Sequence, residues 1–442
     1  MIQEKSKTIR AWVILILTTL AVGGTYYVYD SISPLKELLF KELGFNSTQY
    51  GFLFSSYSFL NTFLLLALFG GIFLDLFGIK KTGFMFVSLC TVGALITAYG
   101  ASDIYKGSVI YNFMNSFWKD YSPELKMMVL GRIIFGLGAE TLIVVQNKII
   151  SKWFKGNMLA FAFAINLAIC RLGTAAALIF SPQIALNPKF GLNFALWFAG
   201  IIMALGFIAF IGYMIIDNWH IKIGLNADER ANLSDFKDLI KNKEYIYIII
   251  LCVTFYSAIF PFQSFAPDIL HNKFKVNLEM AGILTSIIIW GTIIFTPLFG
   301  FIFDKFHNGG KMMLFGSFLL LVSHTLLAFT NLTPYILMFI LGIAFSLVPA
   351  AMWPSVALIV EENKLGMGFG LMTSLQNLGL WAFPILAGYI TDISNPGIKP
   401  SDIEAGRATL NYTNTMIIFV VLSIIALVFS YLLNKTQKLN KV

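Results

Sequence analysis

The chain has 442 residues, 57% of them hydrophobic and only 12% charged, with a formal net charge of +8 and a mean hydropathy of +0.77. A water-soluble chain of this length needs far more charge to cover its surface, so an ordinary soluble globule is excluded. The positive balance is read through membrane topology, and no nucleic-acid partner is expected.

Apolar runs of 18 or more residues recur along the chain. In lipid each segment must satisfy its own backbone hydrogen bonds, so these runs are predicted to be helices. Twelve spans are expected, at 11–30, 50–74, 82–101, 126–149, 158–182, 192–216, 245–270, 279–303, 311–330, 334–359, 367–391 and 410–433. The first begins near Trp12 and continues without a small-residue cleavage site, which marks a span rather than a signal peptide. Three connections are long: 102–125, 217–243 and 392–409. The middle one is polar and divides the chain into an N-terminal six-helix half (1–216), a cytoplasmic linker (217–243) and a C-terminal six-helix half (244–442). Cys90, Cys170 and Cys252 all fall inside apolar runs, so no disulfide framework is implied. Gly23-Gly24, Pro261, Pro297, Pro349 and Pro354 read as flex or kink points within spans.

Lys and Arg set the orientation. With the N-terminus inside, nineteen of them fall on the inner side and ten on the outer, leaving Arg132 and Arg171 within spans. Both termini are therefore expected in the cytoplasm. No acidic dileucine signal precedes the first span and the outer loops are compact, so a bacterial cytoplasmic membrane is expected. Asn46, Asn331 and Asn411 each begin an Asn-x-Ser/Thr sequence on the outer side.

The two halves repeat. Gly71-Ile-Phe-Leu-Asp75 after span 2 matches Gly300-Phe-Ile-Phe-Asp304 after span 8, 229 residues on. Gly136, Glu140, Arg171 and Gly173, shifted by 206, fall on Gly342, Ser346, Asn377 and Gly379. The two offsets differ by 23, the length of the extra loop in the first half. Two six-helix halves about a central pathway is a transporter plan. The expected fold class is thus an all-α membrane protein of two pseudo-symmetric bundles.

Gly71…Asp75…Gly78…Lys80-Lys81 resembles the signature between helices 2 and 3 of the major facilitator superfamily. Leu76 and Ile79 stand where that signature often has Arg. Arg132-Ile-Ile-Phe-Gly136-Leu-Gly138 resembles its helix 4 signature. A narrower resemblance, to the lysosomal dipeptide transporter branch, runs through Tyr26–Asp30, Tyr57–Asn61, Gly131–Leu142, Gln146-Asn147, Trp153-Phe154-Lys155-Gly156, Arg171-Leu172-Gly173, Ala258–Phe262, Trp353–Val360 and Ser374–Leu380. It implies alternating access, Glu140 at a peptide's amino end and Arg171 at its carboxylate. That branch relies on an accessory glycoprotein subunit, which the resemblance alone makes a possible partner.

Glu140 and Arg171 each lie about halfway along a span. A lone charge there costs about 3 kcal/mol on insertion scales, so such residues are functional by default. Arg offers a planar fork suited to a carboxylate, and Glu an acceptor for an ammonium. A small zwitterion such as a dipeptide engages both; a structural ion pair between the helices is the other reading. Proton coupling through Glu140 is a further possibility. Tyr26, Tyr29, Tyr57, Asn61, Asn166, Tyr256, Gln263, Trp353, Gln376 and Asn377 are candidates to line the pathway, Asn377 foremost as the repeat partner of Arg171. Asp75, Gly78, Lys80, Lys81 and Asp304 read as gating elements. Arg132 belongs with them, or serves structure by snorkelling or pairing with Asp30.

Other classes fit poorly. The four His are scattered without metal-ligand spacing, no Gly-Lys-Ser/Thr phosphate loop is present, and no nucleophile and base are paired. No cofactor, metal or enzymatic turnover is expected. Two alternatives stay open: a transporter of a small organic carboxylate, and a non-transporting receptor or scaffold that keeps the fold.

Overall fold

The structure is a computed structural model that describes residues 2–154, 158–217, 239, 241–306, 308–360, 365–399, 402–403 and 407–439. All regular structure among them is helical. In chain order the helices are α1 (Ile2–Asp30), α2 (Lys36–Leu43), α3 (Ser47–Phe63), α4 (Leu66–Gly100), α5 (Asp103–Lys106), α6 (Val109–Asn115), α7 (Pro123–Phe154), α8 (Leu159–Leu186), α9 (Gly191–Asp217), α10 (Lys243–Phe274), α11 (Leu278–Phe306), α12 (Gly309–Phe329), α13 (Pro334–Ile359), α14 (Leu365–Ser394) and α15 (Thr413–Leu439). A short 3₁₀ turn, Ser33–Leu35, follows α1.

Ten helical stretches among the described residues are long and apolar enough to cross a membrane. The two remaining predicted spans are helical but fall short for different reasons. The run expected at 50–74 is broken: α3 stops after 17 residues, and Leu65 takes a left-handed backbone (φ 49°) before α4 begins. α4 is then interrupted at Gly78 (φ 76°, ψ 165°), where the loop between spans 2 and 3 was expected. α14 is 30 residues long but carries Thr373, Ser374, Gln376 and Asn377 in its middle, which lowers its apolarity. Polar groups at that depth are tolerated where they face protein or a water-filled pathway. Pro261, Pro297, Pro349 and Pro354 all stay inside continuous helices.

The chain forms two compact units, one of Met1–Leu35 with Ser56–Asn226 and one of Lys36–Ser55 with Ala227–Val442. The second therefore takes in α2 and the first half of α3. The linker expected at 217–243 lies, apart from Asp217, 239 and 241–243, outside the described residues.

In the first unit α1 packs on α8 and α9, and α4 packs on α7 and α9. Their shared core includes Ile14, Val22, Val87, Cys90, Phe135, Leu142, Met203 and Phe210, all buried. In the second unit α10 packs on α14 and α15, and α12 packs on α13 and α15. All three cysteines are free and buried.

The repeat recurs as packing. A Cβ at Gly173 on α8 would press on the Gly23 carbonyl of α1, and one at Gly379 on α14 would collide with Ser257 on α10. Likewise Gly136 on α7 lies against the Tyr57 backbone of α3, and Gly342 on α13 against Gly291 on α11. Small residues let helices approach in lipid, where apolar side chains gain nothing by leaving the solvent. Two of the Asn-x-Ser/Thr sequences have a local role. Asn46 and Gln49 exchange hydrogen bonds (2.8 and 3.1 Å) in a capping box for α3. Asn411 caps α15 by accepting from the Thr413 amide at 2.9 Å.

Candidate functional site

Glu140 sits on α7 one turn beyond Gly136. The bare Gly136 backbone lets α3 approach, and this brings Tyr57 to the carboxyl: Tyr57 Oη donates to Glu140 Oε1 at 3.0 Å. Asn61, one turn further along α3, donates to the carbonyls of Gly136 and Tyr57 at 3.3 Å each. It is buried and ties the two helices together. The Tyr57 ring meets Tyr29 edge-on, with centroids 4.7 Å apart.

Arg171 stands on α8, its guanidinium carbon 6.0 Å from the Tyr26 ring on α1. Tyr26 lies within electrostatic reach of both Arg171 and Glu140. One unit thus carries a carboxyl on α7 and a guanidinium on α8, helices that pack on each other, with the Tyr26 phenol of α1 beside the guanidinium. About two turns along the same helices lies a second polar group. Asn166 Oδ1 accepts from Thr19 Oγ1 (2.9 Å) and Gln146 Nε2 (3.0 Å), and Gln146 also donates to Thr19 (3.1 Å). This joins α1, α7 and α8.

The predicted residues of the second unit form their own set. Trp353 Nε1 donates to Tyr256 Oη at 3.0 Å, and the Tyr256 ring stacks on Phe260 with centroids 5.6 Å apart. Gln376 accepts from Cys252 Sγ at 3.8 Å. Asn377 donates to its own helix at Thr373 O (3.1 Å), and its buried Oδ1 has no hydrogen-bond partner among the described residues. Gln263 is buried on α10.

Of the predicted gating residues, Arg132 is fully buried and donates to the last-turn carbonyls of α1, Val28 and Tyr29, at 3.3 Å. Its guanidinium is flanked by the rings of Tyr29, Tyr57 and Phe135 at 5.3–5.9 Å. A cation there offsets the negative end of α1. Asp30 itself accepts from Thr174 Oγ1 at 2.7 Å. Lys80 pairs with Asp217 at the end of α9 (3.0 Å), and Lys152 reaches the same carboxylate at 3.1 Å. Lys81 is exposed, as is Asp304 at the end of α11. The Asp75 side chain lies outside the described residues.

Sequence reasoning passed over a second charged cluster, wholly within the second unit. Lys36 Nζ lies 2.6 Å from Asp268 Oδ2 and donates to Tyr412 Oη at 2.9 Å, and Tyr412 in turn donates to Asp268. Asn272 covers the other Asp268 oxygen at 2.8 Å. Asp392, in the last turns of α14, accepts from the Ser47 and Thr48 amides at 2.9 and 2.7 Å, the anion position at a helix N-terminus. Tyr50 donates to Ser264 O at 2.7 Å, and Glu37 contacts both Lys41 and His271. No sequence signal pairs residues so far apart, and charge near span ends is ordinary.

The comparisons with known proteins agree with this architecture. The model of the family described as the Major Facilitator Superfamily matches residues 15–273 and 260–441. The chain belongs to the major facilitator superfamily. It is 30% identical to the lysosomal dipeptide transporter MFSD1 of Homo sapiens over 98% of this chain and 88% of that one, and 31% identical to the Mus musculus protein over 98% and 89%. This places it in that branch of the superfamily. A hexuronate transporter of Bacillus subtilis (strain 168) is 23% identical over 86% of this chain and 87% of its own. Among solved structures, a nucleoside transporter NupG mutant superposes with a TM-score of 0.70 at 15% identity, covering 95% of this chain and 98% of that one. A bacterial homologue of the human lysosomal transporter Spinster gives 0.69 at 14%, covering 97% of each. At such identities the likeness shows the superfamily fold. The chain is an integral membrane transporter.

Proposed function

We propose that this transporter moves small zwitterionic peptides, dipeptides foremost, by alternating access, with Glu140 and Arg171 reading the two ends of the substrate. The observation that carries this is the placement of an acidic and a basic group on neighbouring membrane helices, with Tyr57 bonded to the first and Tyr26 beside the second. Two such groups at midplane depth are costly to hold without use. They match the ammonium and carboxylate of a dipeptide, and the near full-length similarity to lysosomal dipeptide transporters points the same way. Tyr57 orients the Glu140 carboxyl.

Alternating access needs elements that release and re-form. Helix α3 suits this: its first half belongs to the second unit and its second half, from Ser56, to the first. The same helix carries the Asp392 and Tyr50 contacts at one end and the Glu140 contact at the other. We read the Lys36 cluster, within the second unit, as a latch and the Lys80–Asp217–Lys152 clamp, within the first, as a gating element. The Lys and Arg distribution favours cytoplasmic termini, and the compact outer loops favour a bacterial cytoplasmic membrane.

The test is binding and counterflow with purified protein in liposomes, using a dipeptide panel with hexuronate and dicarboxylate competitors. Dipeptide exchange that is lost in folded Arg171→Ala and Glu140→Gln supports the reading. Exchange of carboxylates alone, retained in Glu140→Gln, would replace it with a carboxylate transporter.

A further inference from the structure

The first half carries about twenty residues more than the second between its third and fourth spans, and the transport reading gives them no task. They are well built. Tyr105 is fully buried, donates from Oη to Pro123 O at 3.1 Å, and meets Tyr99 and Tyr111 edge-on at 5.2 and 5.3 Å. Burial pushes its phenol up to about 12. Lys126, at the start of α7, donates to Met114 O at 2.7 Å and to Phe117 O, with its ammonium 4.9 Å from the Phe117 ring. Ser108 caps α6 by accepting from the Tyr111 amide at 3.1 Å. The segment is therefore folded onto α7 by specific bonds.

Its outward side sets large apolar side chains among the exposed polar groups Asn112, Asn115, Ser116, Lys119 and Asp120, as an interfacial segment does. Val109 is 84% exposed, Trp118 74% and Phe113 64%, with Ile104, Ile110 and Tyr121 beside them, and α6 buries none of its residues. Trp118 is held at φ 43°, a backbone that bulky residues avoid. Of the nearby charges, Asp103 and Lys106 are spent on each other at 3.0 Å.

We propose that residues 103–121 form an interfacial foot that seats Val109, Phe113 and Trp118 at the boundary between headgroups and acyl chains of one leaflet. The depth follows from chain continuity, since the segment joins the ends of two membrane-crossing helices, Gly100 and Pro123. Leu130, one turn beyond Lys126, is exposed on a helix that crosses the bilayer. Trp and Tyr, with apolar bodies and polar tips, suit that boundary, and the exposed Lys119 is long enough to reach back to lipid phosphates. The foot braces the start of α7, the helix that carries Arg132 and Glu140.

The buried native cysteines leave room for introduced ones. Spin labels at Val109→Cys, Phe113→Cys and Trp118→Cys, with Arg407→Cys as an aqueous control, are read in the full-length protein in pure phosphatidylcholine liposomes. The foot predicts oxygen collision rates several-fold above those of a water-soluble nickel chelate at the first three sites, and the reverse at the control. Nickel access equal to the control at all three overturns the proposal. Protection that appears only in native membranes assigns the patch to a protein partner and overturns it equally. The result does not depend on which substrate is carried.

Discussion

Lys36 and Asp268, 232 positions apart, form a 2.6 Å ion pair in which both side chains are shielded from solvent. Tyr412 and Asn272 complete the hydrogen bonding of the carboxylate. Breaking such a pair from one side strands a charge and costs about 3–5 kcal/mol, while replacing both partners with apolar groups is often neutral. Lys36→Met is therefore expected to lower the thermal unfolding temperature of the purified protein strongly. The double variant Lys36→Met/Asp268→Leu should recover most of the loss. If the pair is a latch that opens in each cycle, the double variant will fold well yet exchange substrate at an altered rate. Equal destabilisation by the single and double variants would show that the surrounding packing, not the pair, holds α2.

The Tyr57–Glu140 hydrogen bond separates orientation from recognition. Tyr57→Phe keeps the ring against Tyr29 and removes only the donor. A hydrogen bond of this kind is worth about 1–3 kcal/mol, so dipeptide affinity is expected to fall roughly tenfold. Glu140→Gln removes the group proposed to meet the ammonium and should abolish exchange. Titration of both proteins by calorimetry with one dipeptide checks the order. A Tyr57→Phe protein with unchanged affinity would leave Tyr57 a packing residue.

The membrane architecture was legible because hydrophobic length is a property of the segment alone. Glu140 and Arg171 were legible because a charge inside an apolar run has few explanations. Thr19 and Gln146 were not, since an uncharged polar residue in a span costs little and many such residues merely bond to their own helix. The break at Leu65 left no trace either: a left-handed leucine within Leu64-Leu65-Leu66 lies in a run that reads as continuous helix. Lys36, Asp268 and Asp392 stand near span ends, where charge is ordinary, and only the fold brings them into pairs and caps. Asn61 and Asn166 were read as facing the pathway. The structure ties the first to Gly136 and Tyr57, and the second to Thr19 and Gln146.

Asp217 is shared by two lysines, so its removal acts on both. Its side chain is buried, while Lys80 and Lys152 are each about a quarter exposed. Either lysine can hold the carboxylate when the other is lost. Lys80→Ala and Lys152→Ala are thus expected to cost little singly and much more together, a non-additivity that a double-mutant cycle on unfolding temperature would register. Asp217→Asn should resemble the double lysine variant. Strict additivity would mean that the two ion pairs act independently.

Gly78 adopts φ 76° and ψ 165° within α4, a region of backbone space that is essentially confined to glycine. A Cβ at this position would meet no atom within 4 Å. Any penalty in Gly78→Ala is consequently backbone strain and not collision, and is expected at about 1–3 kcal/mol. Because the open surroundings allow the segment to relax toward regular helix, the strain has an outlet. Relaxation would straighten α4 and shift Lys80 relative to Asp217. Gly78→Ala is therefore expected to lower stability by less in a Lys80→Ala background than in the native one. The comparison needs only four unfolding curves. Equal losses in the two backgrounds would show that the kink and the Lys80–Asp217 pair are uncoupled.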